Sequence, residues 1–198
     1  MIRTPEALIP YILMIALVLG GMAWNLSDRM SGPLTVTTGE ASIGGPFTLT
    51  DQNGAVRTDK DFRGRWMLVY FGYTHCPDVC PLSLEMMGDT LAKLGPKAKK
   101  IVPIFVTVDP ARDTPPVLKP YMAAFGKNFV GLTGTPEEID AVTKEYRVYF
   151  RKHPLPGGDY SMDHSSQIYL MDPNGKFAMD YTEVDGPDKV AADLAKRL

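Results

Sequence analysis

The strongest constraint on the fold is a pair of uninterrupted apolar runs, residues 66–73 (WMLVYFGY) and 101–108 (IVPIFVTV). A strand with one wet face alternates apolar and polar residues, whereas a run without alternation has to be covered on both faces. Between the two runs, residues 83–94 place Leu84, Met87, Leu91 and Leu94 on one stripe at helical spacing. Two doubly covered strands with a helix between them read as the centre of a sheet flanked by helices. Pro103 removes a ladder donor from the second run and predicts an edge or a bulge there.

The flanking segments extend the same pattern. Residues 47–50 and 55–57 surround Gln52-Asn53-Gly54, and Asn-Gly is a strong hairpin signal. Residues 116–125 read as a helix and 129–132 as a short strand. Thr135, with Glu138 three positions on, has the capping-box spacing for a helix running to about Tyr146. Strands at 166–171 and 177–181 flank the turn Asp172-Pro173-Asn174-Gly175, and 187–198 is a closing amphipathic helix with Val190, Leu194 and Leu198 on one face. The order predicts an α/β sandwich with a mixed sheet over residues 41–198. Residues 152–158 (KHPLPGG) read as a flexible segment.

Residues 7–24 carry no charge and are mostly large and apolar. As a helix they cover about 27 Å, close to a bilayer core. Trp24 falls at the far end, where aromatic rings favour the interface. We therefore expect an N-terminal membrane anchor at 1–24 and a polar tether at 25–40. A cleaved signal peptide is the competing reading, since Gly21-Met22-Ala23 has small residues at the right spacing. The expected orientation keeps the amino terminus in the cytoplasm and the domain on the other side of the membrane.

Composition excludes several classes. With 21 Lys+Arg against 23 Asp+Glu and no long single-sign run, a nucleic-acid partner is not expected. Lys97, Lys99 and Lys100 form a short basic cluster that reads as a solvated face. The chain has two cysteines, Cys76 and Cys80. That is too few for a disulfide-stapled scaffold or a four-cysteine zinc site.

The cysteines lie in FGYTHCPDVCP, residues 71–81, between the first apolar run and the helix. Thiols at a helix N-terminus face unpaired N–H groups and the positive end of the dipole, which favours thiolate. One turn apart, two sulfurs can converge on a soft metal ion or close reversibly into a disulfide. A permanent structural bridge is a poor alternative, because so short a loop restrains the unfolded chain little. Asp113 and Thr114 before Pro115 read as a helix cap, and Arg112 as a surface ion pair.

Three separated motifs resemble one family. They are FGYTHCPDVCP, then VTVDPARDTP at 106–115, then DHSSQIYLMDPNG at 163–175. Together with the apolar N-terminal segment they resemble the Sco/SenC family of membrane-anchored copper-binding assembly proteins. The resemblance implies a thioredoxin-like three-layer sandwich preceded by one transmembrane helix. It also implies copper as the bound metal and Cys76, Cys80 and His164 as its ligands. The implied activity is metallation of the binuclear copper centre of cytochrome c oxidase. The alternative is a thiol–disulfide oxidoreductase, with Cys76 and Cys80 as redox dithiol, that keeps that centre's cysteines reduced. Implied partners are the copper-centre subunit of the oxidase, a second periplasmic copper donor, and the membrane. The implied location is a bacterial inner membrane with the domain in the periplasm.

Two thiolates and an imidazole suit cuprous ion. Thioredoxins differ in having two residues between their cysteines rather than three, and Met162-Asp163-His164-Ser165 stands where a cis-proline would be expected. His75 and His153 are read as loop histidines outside the ligand set. Met162 shares a strand face with His164 and is a weak candidate for an axial thioether. Adjacent strand residues face opposite ways, which argues against Asp163 as a direct partner of His164.

Overall fold

Trp66–Gly72 (β3) and Ile101–Thr107 (β4) run parallel, with Trp66 opposite Ile101 and Gly72 opposite Thr107, at the centre of a seven-stranded sheet. The computed structural model describes residues 43–198, together with Met14 and Leu19. Residues 41–198 form one compact unit. Among the described residues no helix is long and apolar enough to cross a membrane. The anchor expected at 1–24 and the tether at 25–40 lie outside the described residues, apart from Met14 and Leu19.

The remaining strands are Thr48–Asp51 (β1), Val56–Thr58 (β2), Val130–Thr133 (β5), Phe150–Pro154 (β6), Tyr160–His164 (β7), Ile168–Met171 (β8) and Phe177–Tyr181 (β9). The helices are Val79–Leu94 (α1), Pro115–Phe125 (α2), Pro136–Glu145 (α3) and Pro187–Arg197 (α4). The sheet order is β2-β1-β5-β4-β3-β8-β9, with β3, β4 and β5 parallel and the other pairings antiparallel. This mixed sheet with its helices is a thioredoxin-like α/β fold.

The alternation of β3 divides the core between two faces. Tyr70 meets Phe105 of β4, whose ring in turn packs on Tyr121 of α2. On this face Gly72 approaches Cys80 of α1 so closely that a Cβ would lie 2.8 Å from the sulfur. Phe71 points the other way, against Tyr146 just after α3 and Tyr169 of β8. Both faces are covered, as the unbroken apolar run requires.

Pro103 sits in the interior strand β4, not at a sheet edge. The ladder to β5 begins only at Ile104, so the missing N–H falls beyond the end of the shorter neighbour. The Thr135–Glu138 capping box forms at α3 in both directions. Lys97 and Lys100 are not simply solvated, since their ammonium groups donate to the backbone carbonyls of Ala195 and Leu198 at the C-terminal end of α4.

The segment expected to be a flexible loop is instead an antiparallel hairpin, β6–β7, forming a separate two-stranded sheet. Phe150 pairs with His164 and Pro154 with Tyr160. The residues of β6 are mostly exposed, so the apolar alternation that would announce a strand is missing.

Candidate metal centre

The centre is built where β3 ends. The backbone leaves the sheet at Gly72, whose carbonyl accepts from Val108 N–H at 2.8 Å. Two residues later the turn is clamped by Asp113, whose carboxylate is fully buried. It accepts from Thr74 N–H at 2.9 Å, from the Thr74 hydroxyl at 2.5 Å and from the Thr107 hydroxyl at 2.6 Å. Asp113 is therefore not the helix cap expected from sequence. Thr114 occupies the cap position of α2, without a side-chain hydrogen bond, and Asp113 reaches back across the fold to fix the loop that presents Cys76.

Helix α1 starts at Val79, earlier than its apolar stripe suggests, and Cys80 is in its first turn. Cys76 precedes the cap residue Asp78, so the two cysteines do not share a helix face as the spacing predicts. Asp78 is exposed and makes no side-chain capping bond. Its role falls partly to sulfur, because Cys80 N–H donates to Cys76 Sγ at 3.4 Å.

His164 arrives from the end of β7. Its Nε2 lies 3.2 Å from Cys80 Sγ, and its Nδ1 lies 2.9 Å from the carbonyl oxygen of Ser165. A carbonyl only accepts, so Nδ1 carries the proton and Nε2 faces the sulfurs. Tyr70 and Tyr73 stand edge-on to the imidazole, with ring centroids at 6.0 and 5.8 Å. The ligand atoms of Cys76, Cys80 and His164 all lie within 4.8 Å of one another. Cys80 is buried, while Cys76 and His164 are half-buried, so the centre opens to solvent on their side.

The electrostatics of the pair are unequal. The Cys80 thiol donates to Cys76, and the N–H groups of Asp78 and Cys80 add to this. Together they outweigh the burial of Cys76 and draw its pKa down to about 3. Cys80 is pushed up by the neighbouring Cys76 and by burial, and holds its proton. The metal-free centre thus holds one thiolate and one thiol.

The other candidates stay outside the cluster. His153 Nε2 pairs with Asp163 at 2.5 Å on the exposed face of the hairpin, so Asp163 serves His153 rather than His164. His75 is half-exposed, with Nδ1 3.1 Å from the Thr74 hydroxyl and 4.0 Å from Asp113. Met162 is buried in the core. Arg112, read from sequence as a surface ion pair, is mostly buried against Asp109 and Tyr160. No local pattern marks the contacts of Asp113 with Thr74 or of Arg112 with Tyr160, which span 39 and 48 residues.

The SCO1/SenC family model matches residues 35–198. The mouse mitochondrial protein SCO1 homolog is 44% identical over 160 residues, covering 79% of this chain and 55% of that relative. The chain thus spans about half the length of this curated relative. The structure of Bradyrhizobium japonicum ScoI with copper bound is 49% identical, with a TM-score of 0.75 over 79% of this chain and 100% of that one. BsSco is a member of the Sco family of cytochrome c oxidase assembly proteins in which a disulfide switch was identified. It is 28% identical, with a TM-score of 0.62 over 78% of this chain and 92% of that one.

Proposed function

The chain belongs to the SCO1/SenC family, and from that premise we propose that it carries copper for the assembly of cytochrome c oxidase. Cys76, Cys80 and His164 hold the metal as cargo. One observation carries the reading: ligand atoms from residues 84 apart in sequence converge within 4.8 Å. Two sulfurs and one imidazole nitrogen suit cuprous ion and fall short of the four ligands of a structural zinc site. The opening beside Cys76 and His164 is where a ligand from a partner enters to take the ion.

The copper-centre subunit of the oxidase is the proposed recipient, and a second periplasmic copper carrier the proposed donor. In this reading residues 1–24 anchor the chain in a bacterial inner membrane, 25–40 are a tether, and 41–198 work in the periplasm. The test is titration of the reduced full-length chain with cuprous ion against a chromophoric chelator. One ion per chain is expected, and Cys76→Ala and Cys80→Ala abolish binding. Wild-type affinity in His164→Ala would overturn the three-ligand centre.

The inequality of the cysteines supports a second reading, reduction of the oxidase subunit's disulfide. Half-buried Cys76 is the thiolate that attacks one sulfur of the partner's disulfide, releasing the other as a thiolate. Buried Cys80 then attacks Cys76 Sγ, frees the second partner sulfur and leaves Cys76–Cys80 oxidised, its proton passing to the departing thiolate. This route needs both cysteines and not His164. Full rescue of oxidase assembly by His164→Ala in a strain lacking the protein would favour it over copper delivery.

A further inference from the structure

We infer that Arg112 and Tyr160 are positioning residues for His164: they latch the β6–β7 hairpin to the body of the domain and so hold the imidazole at the cysteines. The inference rests on the copper-carrier reading of the centre.

Among the described residues, the hairpin that carries His164 joins no other strand. A two-stranded ribbon is marginal by itself in water, so its placement has to come from side chains. Bonds such as Leu155 N–H to Asp159 O at the tip and Ser165 N–H to Tyr149 O at the base close the hairpin on itself. They do not fix it to the sheet.

The attachment is at the start of β7. Tyr160, Met162 and His164 alternate onto one face of that strand. Met162 is buried in the core. Tyr160 donates its hydroxyl to Asp109 Oδ1 at 2.8 Å, and Asp109 is itself buried in the loop after β4. The Arg112 guanidinium lies 3.6 Å from the Tyr160 ring centroid. It donates through Nη1 to the Tyr160 carbonyl at 3.0 Å and to Asp159 at 3.1 Å, and through Nε to Asp109 at 2.5 Å. Lys152 of β6 covers the same ring at 3.4 Å. A second path reaches the histidine directly, since Arg112 lies 5.8 Å from the Tyr73 ring and Tyr73 stands edge-on to His164 at 5.8 Å.

Neither path passes through Cys76 or Cys80: their loop is held by the Asp113 carboxylate, a different side chain of the same 109–113 turn. The centre is therefore divided mechanically. Two ligands belong to the sheet and helix, and the third belongs to a lever latched by one arginine and one tyrosine, with Met162 packed in the core. Releasing the latch withdraws the imidazole and leaves a two-sulfur site, a route by which the ion is loosened for transfer.

The test uses the full-length chain and the variants Arg112→Gln and Tyr160→Phe. In metal-free protein, amide exchange over residues 150–164 accelerates in Arg112→Gln while β3, β4 and α1 stay protected. Cuprous-ion affinity falls about 10-fold, the range for loss of a residue that supports a ligand, and the imidazole signature weakens in the X-ray absorption of the loaded protein. Arg112→Gln/His164→Ala binds no more weakly than His164→Ala, because both remove the same ligand. Tyr160→Phe keeps the ring, folds if Arg112→Gln does not, and shifts each readout the same way by less. Wild-type exchange in the hairpin, an intact imidazole signature in Arg112→Gln, or an additive loss in the double variant would overturn the latch. If the wild-type chain binds no copper, the carrier reading fails while the exchange measurement still decides the latch.

Discussion

Gly72 is the position where a single methyl group tests the centre most sharply. Its φ lies outside the left-handed region, so alanine meets no backbone objection. The space does object. A Cβ there would lie 2.8 Å from Cys80 Sγ, 3.0 Å from the Phe105 ring and 3.0 Å from the Tyr70 ring. Ordinary contact begins at 3.4 Å, so the sulfur has to retreat by about 0.6 Å. All three neighbours are fully buried. Overpacking of this kind costs about 2 kcal/mol, which for a domain of this size is about 4–8 °C in Tm. Gly131→Ala is the control, because its Cβ would meet Met122 at 2.7 Å and neither cysteine. Thermal unfolding by circular dichroism and cuprous-ion competition are measured on both. Gly72→Ala should lose stability and copper affinity, and Gly131→Ala should keep its affinity. A Gly72→Ala protein that melts and binds like wild type would refute the claim that this contact sets the position of Cys80.

Two further outcomes follow from the site. Iodoacetamide at pH 5 should modify Cys76 and spare Cys80 in the metal-free chain, read by mass spectrometry, since the pKa of Cys76 is drawn down to about 3 while Cys80 is buried and pushed up. Because the folded pKa lies below the ordinary thiol value, the Cys76 thiolate contributes stability in full above about pH 9 and loses it as pH falls toward 3. Cys76→Ser should therefore flatten that part of the stability–pH profile. Asp113→Ala strands three donors of Thr74 and Thr107. It should cost at least about 2 kcal/mol in urea unfolding and expose the Thr74 amide to exchange. Unchanged stability would show that the clamp is dispensable.

What the sequence makes legible is what depends on neighbours along the chain. The Asn53-Gly54 turn, the Thr135–Glu138 box and the two unbroken apolar runs each carry their signal within a few residues, and each forms. The β6–β7 hairpin gives no such signal. Its strands read FRKHP and YSMDH, and its order comes from Arg112 and Asp109 in a distant loop rather than from an apolar stripe. The helix start fails for a related reason. Pro81 and the preceding turn interrupt the stripe, yet proline is tolerated in a first turn, so α1 extends back to include Cys80. The cysteines are visible as a pair from their spacing alone. His164 is singled out only by resemblance, since nothing nearby in sequence announces that it closes on them.

The division of charge in the metal-free centre has a consequence that can be counted. The Ser165 carbonyl holds the proton on Nδ1, which leaves Nε2 with its lone pair toward Cys80. Cys80 keeps its proton and donates it to Cys76. Cys76 has already lost its own. Cuprous ion taken up by two thiolates and a neutral imidazole then displaces one proton, that of Cys80. Two ordinary thiols, with pKa values near 8.5, would release close to two at pH 7. Calorimetry in buffers of different ionisation enthalpy gives the number directly. About one proton per ion is expected in the wild type. A value of two would mean that Cys76 is protonated in the metal-free protein, and that the N–H and S–H donors around its sulfur do not hold it as thiolate.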